Sequence, residues 1–283
     1  MKLVAFSHYG DSGIGILGED CVRGRLTSDP QFPGELDDIV RDGTGNWNKA
    51  SALSGGTTFS LENIRFRSPF ARPNKIICVG LNYRDHTSEA GYKQPDYPTL
   101  FARFTTSLVP HLSPMVRPIV STALDFEGEL VAVIGRGGRH IVRENALSHV
   151  AGYSIFNDGS VRDFQHRTPQ WTVGKNFDYT GAFGPAFVTA DELPEGARGL
   201  HLETRLNGEV MQSSNTDRLI FDVATLVSTI SAAMTLLPGD LIVTGTPSGI
   251  GHSRSPKLYM KPGDVVEVEI EGIGVLRNFI ADE

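Results

Sequence analysis

The chain has 283 residues, 40% of them hydrophobic and 21% charged, with a net charge of −7. This balance is ordinary for a globular fold and offers no basic footprint for nucleic acid. No apolar run approaches the length of a membrane span, and the N-terminus turns polar too early for a signal peptide. Cys21 and Cys78 provide neither a disulfide framework nor a metal spacing. The expectation is a cytoplasmic protein with no membrane and no nucleic-acid partner, built as one large domain or as a small one plus a larger one.

Residues 1–70 read as a small α/β unit, with short strands at 3–6 and 13–17 and a short helix over 34–41. Pro69 and Pro73 mark a boundary before the apolar strand 75–80, dividing the chain into 1–70 and 71–283. Beyond the strand, a turn leads into a helical stretch over 85–90. There His86 and Glu89 stand at i and i+3 and share a face, so the carboxylate can orient the imidazole as a base toward water. An incidental surface pair is the plain alternative. The segment 91–98, rich in glycine, proline and polar residues, suits a lid.

A strand over 99–107 carries Arg103 as its only charge. This arginine either clamps a substrate carboxylate or pairs with Asp125 or another acid. The stretch Asp125-Phe-Glu-Gly-Glu-Leu-Val-Ala-Val-Ile-Gly135 alternates, so Glu127 and Glu129 project to one side. Two buried carboxylates that close must protonate or share a cation. An all-oxygen site suits Mg2+, Mn2+ or Ca2+ better than Zn2+. A solvated acidic strand end is the alternative. The strand 150–158 ends on Asp158, either a third ligand or a helix cap. Lys175, isolated between Lys93 and Lys257, either stabilises an oxyanion or sits on a solvated loop. Asn207-Gly208 predicts a hairpin turn, and the apolar stripe over 217–237 predicts the best-defined helix, packed in the core. A strand from Leu241 feeds a loop of small residues in which Thr246 can approach a ligand. Strands over 265–270 and 275–280 close the chain.

Five motifs carry a family resemblance from about residue 75 to 278. They are Gly80-Leu-Asn-Tyr-Arg-Asp-His86 with Glu89, Asp125-Phe-Glu-Gly-Glu-Leu130, Asn157-Asp158 with Arg162-Asp163, Gly174-Lys-Asn-Phe-Asp178 and Gly245-Thr-Pro-Ser-Gly249. In this order they resemble the fumarylacetoacetate hydrolase superfamily, in its acylpyruvate hydrolase-like branch. The resemblance implies an α+β fold, a mixed-β roll with flanking helices, behind a small N-terminal cap and in a homodimer. It implies Glu127, Glu129 and Asp158 as ligands for Mg2+ (or Mn2+ or Ca2+), His86 and Glu89 as the water-activating pair, and Lys175 as support for an enolate. Thr246 matches a substrate contact, and Arg84, Arg103, Arg162, Gln165 and Gln170 are candidates to set the substrate's acyl group. The implied reaction is C–C hydrolysis of a 2,4-dioxo acid, such as fumarylpyruvate or a diketo-deoxy sugar acid, to pyruvate and a second acid. Oxaloacetate-type decarboxylation and hydration or isomerisation of a 2-oxo-alkenoate use the same chemistry and stay open.

Overall fold

A computed structural model of the protein describes residues 1–42, 47–85 and 96–283. Its frame is a large mixed sheet with strands buried on both faces at its centre. Every residue of Gly128–Ile134, Val150–Asp158 and Gly181–Thr189 is buried. Gly128–Ile134 lies between Val150–Asp158 and Leu241–Val243, and the sheet runs on through Ile76–Gly80 to an edge at Thr99–Arg103. In the other direction it passes through Gly181–Thr189 to Lys2–His8, Asp11–Leu17, Cys21–Leu26 and Thr57–Ser60. Most neighbours are antiparallel, but Leu241–Val243 runs parallel to Ile76–Gly80. A second sheet has five strands, with His201–Leu206, Val265–Ile270 and Gly274–Asp282 in its interior.

The alternation of the acidic strand now has a destination on each side. Leu130, Ala132 and Ile134 pack in one core with Leu202, Val266 and Val268 of the second sheet and Leu226, Val227 and Ile230 of a helix. Val131 and Val133 pack in another with Leu3, Ile14, Leu36 and Ile39. The N-terminal strands continue the main sheet through the pairs Lys2↔Val188 and Leu3↔Phe187. The architecture is the sheet-dominated α+β fold expected from the sequence. The hairpin also forms, with Asn207 at φ 53 and Gly208 at φ 82, the two positive angles that a type I′ turn requires.

Three expectations need correction. The helix expected over 217–237 spans only Val223–Ala233. Asp222 caps it by accepting the Thr225 N–H at 2.8 Å, while Ile220 donates to the Asn82 carbonyl and Leu236 to Gly138. The outer apolar residues of that stripe are thus held by long-range backbone pairing. The strand over 99–107 stops at Arg103, where a turn of 3-10 helix, Thr105–Ser107, begins. The stretch 125–135 is two strands: Leu124–Asp125 pairs with Ser160–Val161, and the long strand starts at Gly128. The Asp125 carboxylate takes up the Phe126 and Gly251 N–H groups, which breaks the ladder there. His86, Glu89 and positions 91–95 of the expected lid lie outside the described residues. Among the described residues, no helix is long and apolar enough to cross a membrane.

Candidate active site and metal centre

The strand register assembles the acids. Gly128 is paired with Asn157 and Glu129 with Phe156, so Asp158 lies across from Glu127 and donates its N–H to the Glu127 carbonyl at 2.8 Å. Residues opposite each other in a ladder share a face, and the period of two adds Glu129. All three carboxylates are buried, and each offers an oxygen within 4.8 Å of the others. Glycine at 128 is a packing requirement, since a Cβ there would come within 2.2 Å of Thr204 Oγ1 in the second sheet.

Three cations converge on this cluster. Lys175 Nζ donates to Glu127 Oε2 and Asp158 Oδ2, each at 2.6 Å. Arg103 Nη1 donates to Asp158 Oδ1 at 2.5 Å. Arg162 Nη1 lies 2.7 Å from Glu127 Oε1, and Arg162 Nε donates to Asp125 Oδ2 at 2.8 Å. Burial works against the Lys175 charge, yet Asp158 and Glu127 outweigh it and raise its pKa. Lys175 is therefore an ammonium donor at neutral pH and not a base.

Glu129 is the carboxylate left over. It accepts the Gly245 N–H at 2.5 Å and makes no direct ion pair among the described residues. Burial, then Asp158 and Glu127, push its pKa well above the ordinary carboxylate range. Three carboxylates this close and this buried are short of positive charge, and a divalent cation supplies it. The donor set is all oxygen and the spacing is compact, so Glu127, Glu129 and Asp158 fit a hard metal ion.

The cluster opens onto a cavity of about 280 Å³. Glu127, Glu129, Arg162, Gln165, Lys175 and Thr246 form polar wall, and Val79, Phe101, Trp171 and Ile250 form apolar wall. Thr246 is held in place by its bond to the Gly128 carbonyl and by the Gln212 amide. The Trp171 ring fills the space that a side chain at Gly80 would need, 2.2 Å from an ideal Cβ.

Of the residues singled out as substrate contacts, Arg162, Gln165 and Thr246 line this cavity. Arg84 does not, and is exposed. Nor does Arg103: its guanidinium is buried against Asp158, Ser107, Gly159 and Thr180. Of the two readings of Arg103 the structure shows the ion pair, with Asp158 rather than Asp125 as the acid. Gln170 is exposed and stays outside the cavity wall. Sequence reasoning missed Trp171, His166 and His252, all on the wall, and the support from Gln212. One signal was available: Arg162, Gln165 and His166 stand at i, i+3 and i+4, one face of a helical turn.

The model for the fumarylacetoacetate (FAA) hydrolase C-terminal family matches residues 75–281. The chain is 41% identical over 216 residues to the mitochondrial oxaloacetate tautomerase of Rattus norvegicus, across 76% of this chain and 69% of that protein. Its fold is similar to that of a fumarylacetoacetate hydrolase from psychrophilic Exiguobacterium antarcticum, with a TM-score of 0.88, 36% identity and 100% of both chains covered. It is also similar to a 2-hydroxyhepta-2,4-diene-1,7-dioate isomerase from Mycobacterium marinum, with a TM-score of 0.77, 33% identity, and 100% of this chain and 99% of that one covered. With the acid cluster, the fold and the family match in agreement, the chain belongs to the fumarylacetoacetate hydrolase family.

Proposed function

We propose that this protein moves a proton at the carbon next to the keto group of a short 2-oxo acid, interconverting keto and enol forms as an oxaloacetate tautomerase does. The observation that carries this reading is the position of Lys175, a buried ammonium clamped between Glu127 and Asp158 on the cavity wall. When the carbon loses its proton, negative charge develops on the 2-oxo oxygen, and a fixed ammonium beside that oxygen stabilises it. Glu127, Glu129 and Asp158 would hold Mg2+ or a similar hard cation, which when bound polarises the keto group. Arg162 contributes Nη2, which is buried without a hydrogen-bond partner among the described residues and suits a substrate carboxylate. Phe101, Trp171 and Ile250 keep bulk water from the reacting carbon. His86 and Glu89, expected from the sequence to activate a water, take a different role in this reading: His86 moves the carbon-bound proton and Glu89 orients it. A cavity of about 280 Å³ lies at the small end of ligand sites, which favours an acid of four or five carbons. Likeness to a tautomerase and to an isomerase supports the same class of step.

C–C hydrolysis of a 2,4-dioxo acid is the second reading, favoured by likeness to the Exiguobacterium antarcticum hydrolase. It needs the same electron sink and adds a water. Proton NMR in D2O separates the two. Mg2+-loaded protein is given oxaloacetate and, separately, an acylpyruvate. Deuterium entering carbon 3 of oxaloacetate faster than in a protein-free control, with the carbon skeleton intact, supports enolisation. Pyruvate and CO2 from oxaloacetate identify a decarboxylase. Pyruvate plus a second acid from the acylpyruvate identifies a hydrolase, and no exchange above the control overturns the proposal.

A further inference from the structure

We infer that His166 recognises the second carboxylate of a dicarboxylic substrate and that His252 holds it in position. The inference rests on the proposed 2-oxo acid chemistry for its substrate and names the side chain that selects within that class.

His166 and His252 both line the cavity that holds the acid cluster, their ring centroids 5.2 Å apart and the planes tilted by 35°. The two rings differ in what they are free to do. His252 is tied on every side. Its backbone N–H donates to Asp125 Oδ2 at 2.9 Å, Nδ1 lies 2.9 Å from Tyr259 Oη, and Nε2 lies 3.4 Å from Lys257 Nζ. An ammonium can only donate, so Nε2 accepts, and Nδ1 carries the proton toward Tyr259. Both nitrogens are then engaged, and the ring serves as a fixed surface for its neighbour. Among the described residues, the imidazole of His166 has no hydrogen-bond partner, although it forms part of the cavity wall.

The charges around His166 favour an anion. Arg162, Lys257 and Lys175 are the cations that act on it, and Glu127 is the opposing acid. Glu127 is already bonded to Lys175 and Arg162. Partial burial and these cations lower the His166 pKa, which favours a neutral ring with one N–H to offer. With the 1-carboxylate on Arg162 Nη2 and the keto oxygen beside Lys175, the wall formed by His166 is left for a further group of the 2-oxo acid. That wall suits a carboxylate two or three carbons further on.

The test is binding, read by calorimetry in the presence of Mg2+, with lactate and malate as probes. They are unreactive 2-hydroxy acids that differ by one carboxylate. Wild-type protein should bind malate more tightly than lactate. His166→Ala should weaken malate about 10- to 100-fold, the cost of one hydrogen bond to a charged group, and leave lactate unchanged. His166→Gln, which keeps a donor, should restore part of the loss. His252→Phe, which keeps the ring but drops its anchors, should weaken malate to a lesser degree. Equal binding of the two probes by wild type, or equal weakening of both in His166→Ala, overturns the inference. Carbon-3 exchange of oxaloacetate, measured separately, tests the enolisation reading, so either can fail while the other stands.

Discussion

Replacing Lys175 by Met tests the electrostatic account of the site most directly. Methionine keeps most of the lysine volume and removes the charge, leaving Glu127 and Asp158 each without a contact of 2.6 Å. Both acids are buried, and removing one partner of a buried ion pair costs about 3–5 kcal/mol. For a chain of this size that is a fall in Tm on the order of 10 °C. Arg103 and Arg162 remain and set the lower end of that range. The loss should be large in EDTA at neutral pH. It should shrink as the pH falls, because the carboxylates can then take up protons in place of the ammonium. Saturating Mg2+ should also return part of it, since a ligand at about a hundred times its Kd adds about 2.7 kcal/mol. Activity should nevertheless stay roughly 100- to 1000-fold down in Mg2+, the scale of losing one preorganised donor to a developing oxyanion. Thermal melts in EDTA and in Mg2+, run beside the exchange assay, measure each quantity. A variant as stable as wild type in EDTA at neutral pH would refute the reasoning, because Lys175 would then not be balancing buried charge.

Three other outcomes are expected. Glu129→Gln keeps the shape and the Gly245 contact but removes a ligand; calorimetry should show Mg2+ affinity falling by more than the roughly 10- to 100-fold that outer-shell partners cost, with little change in metal-free stability. In Gly128→Ala the new methyl meets Thr204 Oγ1, and overpacking of this kind costs about 1–3 kcal/mol; Thr204→Ala in the same chain should recover much of it, since that hydroxyl has no partner among the described residues. His111 accepts the Arg277 N–H through Nδ1, and burial with the nearby Arg277 charge lowers its pKa from 6.5 to about 4. The unfolded chain takes up that proton first, so the contribution is whole above about pH 6.5 and is lost as the pH falls toward 4, about 3 kcal/mol in all. In denaturant titrations across that window the stability of wild type relative to His111→Gln should fall by about 3 kcal/mol toward the acid end, and parallel curves would count against it.

Much of this protein was legible in its sequence because it rests on short-range rules. Alternation of two placed Glu127 and Glu129 on one side and sent Leu130, Ala132 and Ile134 the other way. Asn207-Gly208 announced its turn because few other pairs tolerate two positive φ angles. The order of five motifs pointed to the family, and with it the architecture. What depended on distance in the chain was not legible. The partner of Arg103 was one of several acids until the fold buried it against Asp158, 55 positions away. The helix over 217–237 was overextended because its apolar flanks look the same whether they pack in a helix or pair with residues 82 and 138. His166 and His252 are 86 positions apart by their numbering, and no local pattern says that two such rings meet. Local preference chose strands, turns and the acids they carry. Burial brought the charges together, and only the packed structure could decide which cation each acid would have.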